Sequence, residues 1–257
     1  DAGQTWTFPG SLWPGRFGSD PVLGADSDGT FYYMAIGGDN PGVRLFKSLD
    51  KGVAWDGPIS VNAAFIDKEW FTIDRTGGIG EGHMYLTWSS QRQFTRSVNA
   101  GLNWMTPINI PLDTTVWGTL SVDPDGLLYC CDRGFRVARS SNAQDGSQTP
   151  AFEQSVLTDL GGSLSFGGPP NPGGLLGHPW VATDHSSGPT RANVYLLCAV
   201  NPSTPDPQDI MFTRSTDHGA TWSRPVRVND DSTTNTYQWF GCMAVAPGGR
   251  IDVAWYD

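Results

Sequence analysis

The chain has 257 residues, of which 38% are hydrophobic and only 16% charged, with 32 Gly and 19 Pro; this suits short strands and tight turns, not long helices. A formal net charge of −10 without any basic stripe argues against nucleic acid or anionic membrane as partners. No apolar run approaches the ~20 residues of a membrane-crossing helix, so no membrane insertion is expected.

In chain order, five units follow one plan. Each opens with a pair of strand-like runs joined by a Gly or Asp turn: 21–29 then 31–36, 70–74 then 83–88, 119–126 then 127–130, 180–184 then 193–198, and 240–249 then 250–255. These read as strands A and B of each unit. Strand C follows, as in Val43–Phe46 and Ile210–Thr213, and runs into a recurring turn. Ser48-x-Asp50-x-Gly52-x-x-Trp55, Ser97-x-Asn99-x-Gly101-x-x-Trp104 and Ser215-x-Asp217-x-Gly219-x-x-Trp222 match in register, each after a basic residue, Lys47, Arg96 or Arg214. A stretched copy follows Arg139 at Ser140 and Asn142, with Phe152 in the place of Trp, and residues 1–6 form the tail of another. Strand D comes after the aromatic residue, past Pro58, Pro107 or Pro225. The chemistry is that of a stapled turn: the Asp or Asn oxygen accepts backbone N–H groups, Gly takes positive φ, and the aromatic ring pins the turn to the blade.

The repeat resembles the Asp-box (BNR) repeat of the sialidase-like β-propellers, over nearly the whole chain. The expected fold is therefore an all-β propeller of four-stranded blades, either about five of them or part of a six- to seven-bladed ring, in a single domain over 1–257. The chain opens inside a box and stops after strand B of its fifth unit, which reads as a piece of a longer chain with further blades as possible partners. It begins with Asp1, compatible with a removed leader as well as with a fragment.

In such a fold the A–B turns and the boxes share one face, and the B–C and D–A loops share the other. Ligands are expected on the second face, which carries the long Gly161–Gly177 and Asn201–Pro207 segments. At the start of the inner strands stand Trp70, Trp117, Trp180 and Trp239, with Asp67, Glu69 and His178, and with Trp13, Arg16 and Asp20 in the first unit. One reading is an aromatic-rimmed pocket for sugar rings; the other is that the Trp residues pack blade on blade. The resemblance implies a sialidase chemistry of three arginines, a Tyr nucleophile with its Glu, and an Asp acid/base. The Phe/Tyr-Arg-Ile-Pro segment that carries the first arginine is absent, and the catalytic residues stay unassigned. The expected function is thus a secreted or cell-surface propeller that recognises glycans or other ligands such as proteins, the alternative being an exo-glycosidase that uses Asp20, Asp67 or Glu69. No cofactor or metal is implied. His178 has no partner at metal spacing, and the Asp26-Ser-Asp28-Gly and Asp123-Pro-Asp125-Gly segments read as turns because they lack the distal Glu of a calcium loop. The cysteines Cys130, Cys131, Cys198 and Cys242 match neither zinc nor disulfide-framework spacing, and at least two read as buried small hydrophobes.

Overall fold

The computed structural model describes residues 4–8, 10–37, 42–61, 66–89, 92–232 and 234–257, so the box tail at residues 1–3 lies outside them. Among these residues there is no helix, only strands, bridges and turns. Unit one is the antiparallel sheet β1 (Gly18–Ala25), β2 (Phe31–Gly37), β3 (Gly42–Ser48) and β4 (Asp56–Ser60), ordered 1-2-3-4. Unit two repeats it with β5 (Trp70–Ile73), β6 (Met84–Trp88), β7 (Gln93–Ser97) and β8 (Ile108–Asn109). Unit three has β9 (Val116–Val122), β10 (Leu128–Asp132), β11 (Arg136–Ser140) and β12 (Gln154–Leu157). Unit four has β14 (Trp180–Thr183), β15 (Val194–Pro202), β16 (Asp209–Ser215) and β17 (Val226–Arg227), and unit five the pair β18 (Trp239–Val245) and β19 (Ile251–Tyr256). The one addition is β13 (Gly162–Leu164). It lies inside a segment read from sequence as a loop, and forms because β15 runs on to Pro202 and offers Val200 to Pro202 as pairing partners.

The inner strands β1, β5, β9, β14 and β18 stand side by side in that order. The row curves about an axis, since one cavity is lined by Asp26, Thr72, Ser121, Thr183 and Val245, one from every unit. This is a propeller of four-stranded blades, and four hydrophobic clusters fill the four seams between successive units. Side chains alternate across a strand, so a blade clamped between two others must be apolar on both faces. In β15, Val194, Leu196, Cys198 and Val200 enter one seam while Tyr195, Leu197 and Ala199 enter the next. That is why its sequence is a continuous apolar run, whereas β19 alternates half-buried with exposed residues.

The adjacent cysteines obey the same rule: Cys130 enters the seam with blade two and Cys131 the seam with blade four. All four thiols are free; Cys130, Cys131 and Cys198 are buried and Cys242 is exposed. Burial raises the pKa of each buried thiol well above the ordinary range, which leaves them unreactive packing groups.

Candidate functional site

The repeating turns are built alike. The Gly52, Gly101 and Gly219 amides donate to the Ser48, Ser97 and Ser215 hydroxyls at 2.8, 2.9 and 2.8 Å. Those hydroxyls donate to Asp50, Asn99 and Asp217, whose oxygens also accept the amides of Ala54, Asn103 and Thr221 at 2.8, 2.9 and 2.9 Å. Each indole, Trp55, Trp104 and Trp222, donates back to the carbonyl of its box glycine. The residue before that glycine, Lys51, Ala100 or His218, also has positive φ, and a Cβ on Gly101 would collide with Leu45 of the preceding blade. The Asn142 turn keeps the plan, its oxygen accepting the Ala151 amide at 2.7 Å, and Phe152 meets Phe94 in the seam where Trp104 and Trp222 stand in theirs.

These turns spend one Asp or Asn oxygen and the Ser hydroxyl on their own backbone amides. The A–B turns beside them hold a second repeat that pattern reading missed. An Asp closes strand A and accepts the phenol of a strand-B Tyr: Tyr32 to Asp26, Tyr129 to Asp123 and Tyr195 to Asp184, at 3.0, 3.1 and 3.2 Å. The signal was present as Asp and Tyr six or eleven residues apart, a spacing that varies with turn length. Asp123, Asp125 and His218 come together there, but Asp123 already accepts the Asp125 and Leu127 amides and the Tyr129 phenol. Arg191 grips Asp125 at 2.8 Å and holds its pKa down. That cluster is a capped turn.

On the opposite face the four rim tryptophans separate. Trp70 and Trp180 meet edge to face at 5.1 Å, and Trp70 lies 5.3 Å from the His178 ring. Trp117 is buried, with its indole N–H bonded to the Gly177 carbonyl at 3.2 Å and Arg133 over its ring. Trp239 stacks on Tyr256 at 4.7 Å. Trp70 also touches two seam clusters and Trp180 another, so all four rings do packing work and no single ring of four forms. Asp67 is exposed, while His178 is buried and its pKa falls to about 3, from burial first and then from Lys68. It is a neutral imidazole.

Glu69 is 1% exposed, with neither carboxylate oxygen in a hydrogen bond among the described residues. Burial first, with the Asp20 charge adding to it, pushes its pKa up to about 9. Asp20 also accepts the Lys68 amide at 3.3 Å, and both Asp20 and Lys68 hold positive φ, 52° and 53°. Non-glycine residues in that region are strained and cluster at functional sites. Glu69 neighbours Tyr33, whose pKa is raised by burial and by that proximity.

Tyr33 and Ile36 in turn line a cavity of about 440 Å³ with Trp13, Arg16, Arg44 and Phe46. Trp13 meets Phe46 edge to face at 6.1 Å. Arg16 thus belongs to an aromatic and cationic cavity on blade one, whose wall residue Tyr33 feels the Glu69 charge. Arg44, Tyr33 and Phe46 carried no sequence signal, because alternation along a strand does not say which face stays open.

No family model matches the chain and no curated protein does. Solved structures are similar to it. YCF48 bound to D1 peptide superposes with a TM-score of 0.57 at 15% identity, over 99% of this chain and 66% of that one. The leech intramolecular trans-sialidase gives 0.52 at 18% identity, over 87% of this chain and 34% of that one. The NanB sialidase of Streptococcus pneumoniae gives 0.53 at 12% identity, over 86% and 53%. The fold is a β-propeller. At such identities the likeness extends to fold alone, and the chain spans a third to two thirds of these neighbours' length.

Proposed function

We propose that this is an Asp-box propeller, secreted or at the cell surface, that recognises an acidic glycan on the face opposite the boxes. The observation that carries the reading is the blade-one cavity, where Arg16 and Arg44 stand among Trp13, Tyr33 and Phe46. Guanidinium groups suit a carboxylate and aromatic faces suit a pyranose ring. The size, about 440 Å³, fits one or two sugar units by the usual range of ligand sites.

A glycan array carrying sialylated, uronic-acid and neutral glycans tests the reading. Binding should favour the acidic glycans and fall in Arg16→Ala and Arg44→Ala at unchanged melting temperature. Equal binding of neutral and acidic glycans, or none at all, would reject it.

A second reading, exo-glycosidase, is supported by Glu69. A carboxyl group kept protonated near neutral pH beside a second carboxyl is the arrangement of a general acid and its ionised partner. Fluorogenic glycosides decide between them: an enzyme hydrolyses one of them and Glu69→Gln abolishes turnover while keeping binding, whereas a lectin hydrolyses none.

A further inference from the structure

On the same face, between blades four and five, the segment 201–208 meets residues 237–238 through the Gln208–Tyr237 bridge and the Gln238 amide, which donates to the Gln208 carbonyl. Oxygen acceptors are in excess there. One amide nitrogen, Asn229 Nδ2, with two hydrogens, faces three oxygens: Asp209 Oδ1 at 2.8 Å, Asp231 Oδ1 at 2.7 Å and Gln238 Oε1 at 3.3 Å. Asp206 is 3% exposed and Gln208 fully buried. Both Asp206 carboxylate oxygens and both polar atoms of the Gln208 amide have no hydrogen-bond partner among the described residues. That leaves three orphan oxygens against one orphan N–H₂ group.

The charges are also unbalanced. Asp206, Asp209 and Asp231 stand close enough that the last two raise the pKa of Asp206, after burial itself. The cation facing them is Arg227, whose half-exposed guanidinium is 3.5 Å from Asp209. An ionised carboxylate buried without a partner is costly; Asp206 is in that position, whereas Asp209 pairs with Arg227 and Asn229, and Asp231 accepts from Asn229 and Thr236.

We infer that the segments meeting between blades four and five form a binding site for a hard divalent cation, with Asp206 and the Gln208 side-chain oxygen as ligands and Asp209 and Asp231 as flanking negative charge. Calcium is the ion that suits it: it accepts six to eight oxygens from carboxylates, amides and water in flexible geometry, where magnesium demands a near-ideal octahedron and gives up water reluctantly. Neutral oxygens such as that of Gln208 also suit calcium better than a thiolate- or imidazole-seeking metal. The ion would fasten the 201–208 segment to the loop that leads, through Gln238, into Trp239 and blade five. Gln238 also donates to Asp257 at 2.9 Å, tying the loop to the end of β19.

The test uses the whole chain, stripped with a chelator and then titrated with calcium chloride, with magnesium chloride at equal ionic strength as the comparison. Melting temperature and calorimetric binding are both read. The expected result is saturable calcium binding with a rise of several degrees in melting temperature, since a ligand held only by the folded state stabilises it, and a smaller rise with magnesium. Asp206→Asn should lose the calcium response and melt in chelator no lower than the wild type, because the amide removes an unpaired buried charge; Asp125→Asn, in the capped turn, should keep the response. If Asp206→Asn does not fold, Gln208→Met, close to isosteric, should bind calcium at least about tenfold more weakly. Identical wild-type melting in chelator and calcium with no heat of binding would overturn the proposal. So would a full calcium response in Asp206→Asn, or in Gln208→Met where that variant stands in.

Discussion

Asp50, Asn99 and Asp217 each accept an amide four residues on and a serine hydroxyl two residues back, so one side-chain oxygen closes the whole turn. Replacing Asn99 or Asp217 with Ala should cost about 1 kcal/mol, the usual value for a turn- or helix-capping acceptor, Asp50→Ala should destabilise in the same direction, and all three should leave ligand binding intact. Chemical denaturation of the three variants beside a binding assay checks this; loss of binding at unchanged stability would show that ligands use the box face. Glu69 makes the opposite kind of claim. Its folded pKa is raised to about 9, from an ordinary value of 4.5, so the folded state holds a proton that the unfolded chain releases. Its contribution is fully present below the unfolded value and is lost as pH climbs toward 9, at up to ~1.4 kcal/mol per pH unit within that window. Melting temperature should therefore fall between pH 5 and 9 more steeply in the wild type than in Glu69→Gln. Parallel curves would mean that Glu69 is ionised in the fold.

At the scale of elements, what was legible and what was not divide along one physical line. The strand pairs, the boxes and Phe152 as a stand-in for Trp were legible because local hydrogen bonding fixes them, so the residue types recur at fixed spacing. The basic residue before each box recurred too, but its purpose is tertiary. Arg96 is buried and donates to the carbonyls of Ala143, Asp145 and Gln148 in the stretched turn of the next blade, at 2.7, 2.8 and 2.7 Å. Arg139 reaches the His218 carbonyl of the next blade at 3.0 Å. Blades two and three thus clamp their successors' turns through backbone oxygens, and a carbonyl leaves no trace in a sequence. Arg96→Ala should cost ~2 to 3 kcal/mol, since a buried charged donor and three carbonyls, one buried and two partly so, lose each other. Arg139→Ala should cost ~1 kcal/mol, because it makes one such bond and its pair with Glu153 is partly solvated. Equal losses in urea titrations would mean that the clamp does not distinguish the blades.

For the whole molecule, the question is how an axis lined by residues of five blades divides its aromatic rings between packing and recognition. The rim tryptophans were found correctly as a set that begins inner strands, yet their environments differ in ways a repeat cannot encode. Trp117 is sealed by the Gly177 carbonyl and Arg133, Trp239 rests on Tyr256, and Trp70 and Trp180 wedge each other apart from solvent while touching three seams. Trp70, Trp180 and Trp239 are half-buried like Trp13, but Trp13 differs in standing on the wall of the blade-one cavity with Arg16 and Arg44. Trp70→Ala should then cost ~3 kcal/mol of stability, as buried aromatic truncations do. Trp13→Ala, Arg16→Ala and Arg44→Ala should change stability little. They should weaken binding of an acidic glycan by about ten- to a hundredfold each, the scale of a charge-assisted contact or a stacked ring. Measured on the same four variants, melting temperature and glycan affinity should separate into two groups with no overlap. If Trp70→Ala alone loses the glycan while keeping its melting temperature, the site lies on the propeller axis and the blade-one cavity is only a packing gap.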